Sequence, residues 1–179
     1  LPHNLEAERS VLGAILLHND AFNLAAEVID SKDFFRDAHR RIFDKMVKLV
    51  ERGDAIDLVT LKEELNRAGE LDEIGGPAYL ARLAAAATTI INTEEYGRLV
   101  YELATRRRLT SIGGDIVNES FKPKVDETAR QLIERAEQAL YEIAETGKYG
   151  QGFLPFGTAL TEAIDMAAAA YQRDGGLSG

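Results

Sequence analysis

Residues 92–121 read NTEEYGRLVYELATRRRLTSIGGDIVNESF, and this stretch decides the fold. Asn92-Thr93-Glu94-Glu95 has the pattern of a capping box, in which side chains satisfy the free backbone N–H groups at a helix start. Phe121-Lys122-Pro123 ends the helix, because the residue before a proline disfavours helical backbone angles. The sequence therefore predicts one long helix between these two signals.

The long helix carries two apolar stripes that point in different directions. The first consists of Tyr96, Leu99, Val100 and Leu103, and the second of Leu109, Ile112, Ile116 and Val117. At about 100° per residue, the two stripes lie on nearly opposite sides of the helix. We expect the first half to pack on a globular core and the second half to leave it for another partner.

The segments before the long helix also have helical periodicity. Asn4 and Asp20 are candidate N-caps, Thr60 and Glu63 form a predicted capping box, and Gly76-Pro77 places a proline in a first turn. The apolar residues of these helices recur at spacings of three and four, which predicts a helical globule over residues 1–105.

The segments after the long helix predict a hairpin and a linker. Residues from Asp126 to about Glu145 have a sustained apolar stripe, and the short connection through Pro123 favours an antiparallel helical hairpin over 106–146. Residues 147–179 contain a glycine-rich linker, followed by a short amphipathic helix. The predicted fold class is therefore all-α: a helical globular domain, a protruding antiparallel helical hairpin and a separate linker helix.

Composition excludes several classes of protein. The chain has 179 residues, a net charge of −9 and no cysteine, so disulfides and thiolate metal sites are excluded. An acidic surface repels nucleic-acid phosphates, so we expect little or no direct DNA binding. No apolar run approaches the roughly 18 residues that span a bilayer, and the N-terminus does not resemble a signal peptide. Because the first residue is Leu1, we expect the chain to begin inside a longer reading frame or after a removed tag.

Motifs for catalysis are weak. Gly147-Lys148-Tyr149 lacks the Ser or Thr and the upstream glycine of a phosphate-binding loop. The histidines are not spaced as metal ligands on one helix face, and His39 is interpreted as a capping or surface residue. Paired carboxylates such as Glu6 and Glu8 are interpreted as a solvated face. For Arg106-Arg107-Arg108, salt bridges at a helix junction or a protein interface are favoured over a phosphate contact or plain solvated surface.

Five ordered segments resemble the DnaB family of bacterial replicative DNA helicases. The first is Pro2-His3-Asn4-Leu5-Glu6-Ala7-Glu8-Arg9-Ser10-Val11-Leu12-Gly13, which is similar to the family's opening signature. The others are Asp33-Phe34-Phe35 with His39-Arg40-Arg41-Ile42-Phe43, Ile56-Asp57-Leu58-Val59-Thr60-Leu61, Gly75-Gly76-Pro77-Ala78-Tyr79-Leu80 and Asn92-Thr93-Glu94-Glu95-Tyr96. The resemblance extends well over residues 2–145 and is vaguer beyond them.

The resemblance implies an N-terminal collar and linker. In this family, hairpins pair between subunits, three such dimers form a collar on a hexameric ring, and the linker helix docks on the ATPase domain of a neighbouring subunit. The collar binds primase, and in some bacteria this region meets a helicase loader. ATP and Mg²⁺ belong to a RecA-like ATPase domain that is absent here, so this chain should hold no cofactor and be inactive alone. The full-length protein would be an ATP-dependent 5′–3′ DNA-unwinding hexamer in the bacterial cytoplasm.

Two sets of residues are the predicted contact sites. The oligomer interface is expected at Leu109, Ile112, Ile116, Leu132, Ile133, Ala136 and Leu140. The docking face of the linker helix is expected at Leu160, Ile164, Ala168 and Tyr171. No catalytic, cofactor or metal residues are predicted. Two alternatives stay open: a free-standing helical adaptor without a motor domain, and a small all-α hydrolase with a site built from His3, His39 and nearby carboxylates.

Overall fold

A computed structural model describes residues 1–87, 92–147 and 156–175, and the described part is entirely helical. The helices are α1 (Leu5–Leu17), α2 (Asp20–Ala26), α3 (Asp37–Glu51), α4 (Leu58–Arg67), α5 (Gly76–Ala86), α6 (Thr93–Phe121), α7 (Ala129–Thr146) and α8 (Phe156–Gly175), with a short 3-10 helix at Ser31–Asp33. The all-α fold class is thereby confirmed. No helix in these ranges is long and apolar enough to cross a membrane.

The chain divides into two compact units, Leu1–Thr128 and Ala129–Gly179. Helix α6 belongs to the first unit and α7 to the second. The predicted pairing of these helices in a hairpin, and the predicted domain boundaries, stay predictions. The glycine-rich linker mostly lies outside the described residues.

The first unit is built around α1. This helix contacts α2, α3, α5 and α6, and its residues Val11, Leu12 and Ile15 are completely buried. Asn4 caps its first turn, because the Asn4 side-chain oxygen accepts a hydrogen bond from the Ala7 backbone N–H at 2.9 Å. The predicted N-cap at Asn4 is confirmed.

Helix α3 closes the other side of this core. Ile42, Phe43, Met46 and Leu49 of α3 are buried against residues of the same core cluster. The helix ends before Gly53, whose φ of +78° is a left-handed conformation that glycine adopts without steric cost. Phe43 lies between Phe22 and Phe34, with ring centroids 5.6 Å and 5.3 Å away, so aromatic contacts join α2 and α3.

Two predicted helix starts are corrected by the structure. Helix α4 begins at Leu58 with Asp57 as its cap, and Asp57 and Thr60 exchange the two hydrogen bonds of a capping box. The predicted box of Thr60 and Glu63 was therefore placed three residues too late. Asp20 is the first residue of α2 rather than its cap. The preceding Asn19 side chain instead bonds the backbone N–H and carbonyl of Ile56, each at 2.7 Å.

The long helix α6 packs on the core through small residues. Its buried positions are Thr93, Gly97, Val100 and Ala104, and they contact α1, α2 and the 3-10 helix. Of the predicted first stripe, Val100 is buried, whereas Tyr96 and Leu99 are more than one-third exposed. After Ala104, no described residue of α6 is buried, so the second half leaves the core as predicted.

Candidate interaction sites and a buried polar network

A buried polar network lies between α1, α3 and α5, and Glu8 is its centre. Glu8 is 1% exposed and His39 is 0% exposed. One Glu8 carboxylate oxygen accepts a hydrogen bond from the Phe35 backbone N–H at 2.6 Å, and the other lies 2.5 Å from Nδ1 of His39. A carboxylate only accepts, so Nδ1 of His39 carries the proton in this contact.

Tyr79 of α5 completes the network on the other side of the imidazole. Its hydroxyl lies 2.6 Å from Nε2 of His39 and accepts a hydrogen bond from a guanidinium N–H of Arg36 at 3.2 Å. With a neutral imidazole, each hydrogen bond of the chain is donated in the same direction: Arg36 donates to Tyr79, Tyr79 to His39, and His39 to Glu8. Every group then has a partner. Burial raises the pKa of the Tyr79 hydroxyl, although the nearby arginines oppose this effect.

A second polar cluster fixes the point where α6 leaves the core. Arg107 donates hydrogen bonds to the backbone carbonyls of Pro2 at 2.7 Å and Asp33 at 2.6 Å. Arg108 forms an ion pair with the buried Asp33 carboxylate. Burial lowers the pKa of Arg107, whose guanidinium also lies 5.4 Å from the centre of the Phe35 ring. The N-terminus and the 3-10 helix are thereby bound to α6.

The arginine run forms the contacts expected of a helix junction. Arg106 bonds Glu102 one turn earlier at 2.9 Å, and Arg108 pairs with Asp33. The favoured interpretation, salt bridges at a helix junction, is therefore confirmed within this chain.

The interpretations of His39 and Glu8 were wrong. Both were assigned to the surface, yet both are buried because each lies on the apolar face of its helix. Glu8 precedes Val11 and Leu12 by three and four residues, and His39 precedes Ile42 and Phe43 by the same spacing. This spacing was the sequence signal that could have identified a buried polar pair.

The geometry of His39 does not favour the hydrolase alternative. Both ring nitrogens are engaged by Glu8 and Tyr79, and the side chain is inaccessible, so neither a substrate nor a metal ion can reach it. His3 stacks on Phe35 with ring centroids 4.1 Å apart. Within the described ranges, no group of three or more acidic or histidine side chains could hold a metal ion.

The predicted oligomer-interface residues are incompletely covered. Leu109, Ile133 and Leu140 are 45%, 58% and 44% exposed, while Ile112, Ile116, Leu132 and Ala136 are half-buried. No residue of α7 is buried. Apolar side chains in these helices thus keep surface available for contacts.

The predicted docking face of the linker helix is exposed. Leu160, Ile164 and Tyr171 are 49%, 59% and 81% exposed, and Ala168 is exposed as well. They recur at i, i+4, i+8 and i+11 on α8, which puts them on one face of that helix.

These features define a class of protein: an all-helical domain whose motif residues build its interior, followed by helices with exposed apolar side chains. The model of the DnaB-like helicase N terminal domain family matches residues 1–102. The chain belongs to this family.

Curated relatives carry the same domain in a longer protein. The chain is 33% identical over 164 residues to the replicative DNA helicase DnaB of Rickettsia typhi, covering 92% of this chain and 33% of that protein. It is 34% identical over 178 residues to replicative DNA helicase DnaB of Geobacillus stearothermophilus, covering 99% of this chain and 38% of that protein. The chain therefore spans about a third of the length of these relatives.

Two solved structures resemble the chain. One is the N-terminal domain of DnaB helicase from Mycobacterium tuberculosis, with a TM-score of 0.76 and 35% identity over 79% of this chain and 98% of that one. The other comes from a study of a DnaB-like replicative helicase and its interactions with primase, with a TM-score of 0.64 and 26% identity over 93% of this chain and 37% of that one.

Proposed function

We propose that the chain is the N-terminal collar and linker of a replicative DNA helicase, which acts in assembly and docking. In this proposal, the second half of α6 and α7 pair between subunits, and three such dimers form the collar of a hexamer. The collar docks primase and, in hosts that use one, a helicase loader. The proposal is supported by membership of the family and by the short share of the longer relatives that the chain spans.

The observation that carries the assembly role is the contrast between the core and the helices beyond it. The core of the first unit is closed, with Leu12, Phe34 and Met46 each at 0% exposure. In contrast, Ile133 and Leu140 of α7 are 58% and 44% exposed. Clustered apolar surface of this kind is typical of protein–protein contacts. A second copy of these helices is the occupant that the hairpin proposal requires.

The linker helix has a separate role in the proposal. Leu160, Ile164, Ala168 and Tyr171 of α8 would dock in a groove on the ATPase domain of a neighbouring subunit. A helix of this length is marginal alone in water, so docking would stabilise it. ATP and Mg²⁺ would bind to that ATPase domain and not to this chain.

The proposed setting is the replication fork in the bacterial cytoplasm. The relatives are replicative helicases, so the full-length protein would unwind DNA in the 5′–3′ direction with ATP. This chain would contribute little or no DNA contact, because its net charge is −9.

The assembly role is tested by placing charges in the proposed interface. Ile133→Asp and Leu140→Asp together would bury two carboxylates in an apolar contact, at a cost of several kcal/mol, roughly 2–7 per group. We expect light scattering to show a smaller mass for this variant at unchanged helicity. Val50→Asp with Val59→Asp is the matched control, because both valines are exposed on the globule.

Two results would contradict the assembly role. An unchanged mass for the α7 variant, with helicity intact, would exclude α7 as the interface. A smaller oligomer for the control variant alone would place the interface on the globule. Primase docking is checked in parallel by calorimetry with the helicase-interaction domain of the host's primase, and absence of binding would remove that partner from the proposal.

A further inference from the structure

Two arginines lie over the ring of Tyr79, and the charge of a third arginine acts on the same residue. Arg36, in the loop before α3, places its guanidinium carbon 4.9 Å from the ring centre, and Arg82 of α5 places its own 5.4 Å away. Arg9 of α1 lies close enough for its charge to lower the pKa of Tyr79, as do the charges of Arg36 and Arg82. We call Arg9, Arg36 and Arg82 the arginine cluster.

The cluster lacks carboxylate partners. Its three guanidinium groups form no ion pair within residues 1–87, 92–147 and 156–175, whereas Arg41, Arg52 and Arg108 each do. Helix α5 contributes no acidic residue, and Arg82 is its one charged side chain. Glu8, the nearby carboxylate, is buried and bonded to His39 and the Phe35 backbone. Three positive charges thus stand together on a chain of net charge −9.

The cluster is both accessible and oriented. Arg36 and Arg82 are exposed and Arg9 is half-buried. Arg36 and Arg82 lie over the Tyr79 ring, and Arg36 also donates a hydrogen bond to the Tyr79 hydroxyl, so these two guanidinium groups are restricted before any ligand arrives. Restricted side chains lose less conformational entropy on binding, and planar guanidinium groups match carboxylates in two parallel hydrogen bonds.

We propose that the arginine cluster is a docking site for a short acidic peptide segment of a protein partner. Charge complementarity supports this ligand. The three arginines form no ion pair with carboxylates of this chain within the described residues, so they can form ion pairs with aspartates or glutamates of a bound peptide. A nucleic-acid strand is disfavoured as the ligand. Only a few of its phosphates could pair with the three arginines, and the next phosphates along the strand would be repelled by a chain of net charge −9. The site consists of residues of the globule, and none of them belongs to the residues proposed for the interface on α6 and α7.

The test measures fluorescence anisotropy of a labelled peptide rich in aspartate and glutamate, with an Asn- and Gln-substituted peptide as the neutral probe. We expect the acidic peptide to bind and the neutral peptide not to bind. Arg9→Gln with Arg82→Gln should weaken binding on the order of tenfold, since it removes two of the pairs and leaves the Arg36–Tyr79 bond intact. Arg67→Gln with Arg130→Gln removes the same charge from two arginines outside the cluster and should change binding by less than about twofold. Circular dichroism checks the fold, and Arg82→Gln alone is the milder variant.

Three results would overturn the proposal. Equal weakening by the two double variants would mean that net charge, and not the cluster, attracts the peptide. Equal binding of the neutral peptide would remove the role of carboxylates. Tighter binding of a single-stranded oligothymidylate, lost on Arg9→Gln with Arg82→Gln, would make the cluster a phosphate site instead.

Discussion

At the scale of single residues, the buried polar network shows how motif residues can serve the fold. Glu8, His39 and Tyr79 lie in three of the segments that define the family resemblance. A charged group in a protein interior is tolerated when each donor and acceptor is satisfied, and each of these side chains has its partners. These three residues of the family-like segments therefore have a structural explanation, which is interior hydrogen bonding.

Removing the Glu8 carboxylate should destabilise the protein strongly. Glu8→Ala leaves the Phe35 N–H and the His39 imidazole without acceptors in the interior, at about 3 kcal/mol. Glu6→Ala, an exposed acidic position on the same helix turn, is the control and should cost about 0.5 kcal/mol or less. Urea unfolding measures both, and equal effects would show that Glu8 is not an interior acceptor.

The raised pKa of Tyr79 predicts a loss of stability in alkali. Burial holds the folded-state pKa above the usual tyrosine value of about 10, so above about pH 10 the unfolded chain loses this proton more readily. Tyr79 therefore makes its full contribution to the free energy of unfolding at any pH below its pKa in the unfolded chain. That contribution declines as pH rises through the pKa of Tyr79 in the folded protein. Tyr79→Phe removes it, so the stability difference between wild type and variant should narrow above about pH 10. A difference that stays constant from pH 8 to 11 would contradict this assignment.

The sequence predicted apolar residues better than polar ones. The apolar residues that recur at helical spacing were expected to build the globule, and among them Val11, Leu12, Ile42 and Phe43 lie in its core. Glu8 and His39 were missed because residue type was weighed above position on the helix. Glu8 and His39 have partners on other elements at distant points of the chain, such as Tyr79 for His39. Local periodicity can indicate that such a residue is buried, but not which residue it pairs with.

At the scale of helices, small residues set the packing distances. Gly13 of α1 faces α5 so closely that an added Cβ would collide with the Leu83 carbonyl oxygen and lie 2.9 Å from Cβ of Ala87. An added Cβ at Gly97 of α6 would lie 2.8 Å from a methyl group of Val28. These two glycines therefore determine how near α5 and α6 approach the core.

Two glycine-to-alanine changes should have opposite effects on the free energy of unfolding. Gly13→Ala forces α1 and α5 apart and should cost about 1–3 kcal/mol, because the obstacle is backbone that cannot rotate away. Gly113→Ala, in the exposed half of α6, meets nothing within 4 Å and should stabilise the helix by about 0.5–1 kcal/mol. Thermal unfolding compares them. Stabilisation by Gly13→Ala would mean that the α1–α5 contact is looser than described.

The same small residues explain why α6 was only partly predicted. Its start at Asn92, its end before Pro123 and its departure from the core were expected from local signals. The buried face was assigned to large apolar residues, of which Val100 lies there, whereas the small residues Gly97 and Ala104 on the same face were missed. Close approach of two helices selects small side chains, and a search for large apolar residues overlooks them.

At the scale of the whole molecule, the core and the proposed assembly helices occupy different parts of the chain. Every buried apolar side chain in the described ranges lies between Ala7 and Ala104. Every described side chain of α8, from 160 to 172, is exposed. Folding of the first unit and docking of α8 should therefore be separable.

Substitutions in the linker helix should leave the melting temperature of this chain almost unchanged. Leu160→Ser with Ile164→Ser removes apolar area from α8 that is about half exposed, so little burial is lost. In the full-length protein, the same pair should weaken ring assembly. Leu65→Ser in the core is the positive control and should cost about 3 kcal/mol or more. A large drop in melting temperature for the α8 pair would show that α8 packs on its own globule.

The hydrogen bond between Arg107 and the Pro2 carbonyl can form only late in the synthesis of the globule. The two residues are 105 positions apart, so Pro2 leaves the ribosome well before its partner Arg107. At ribosomal rates of roughly 5–20 residues per second, the delay between them is about 5–20 s. For most of that time α5 and α6 have not yet been made, so the apolar face of α1 stays uncovered on the nascent chain.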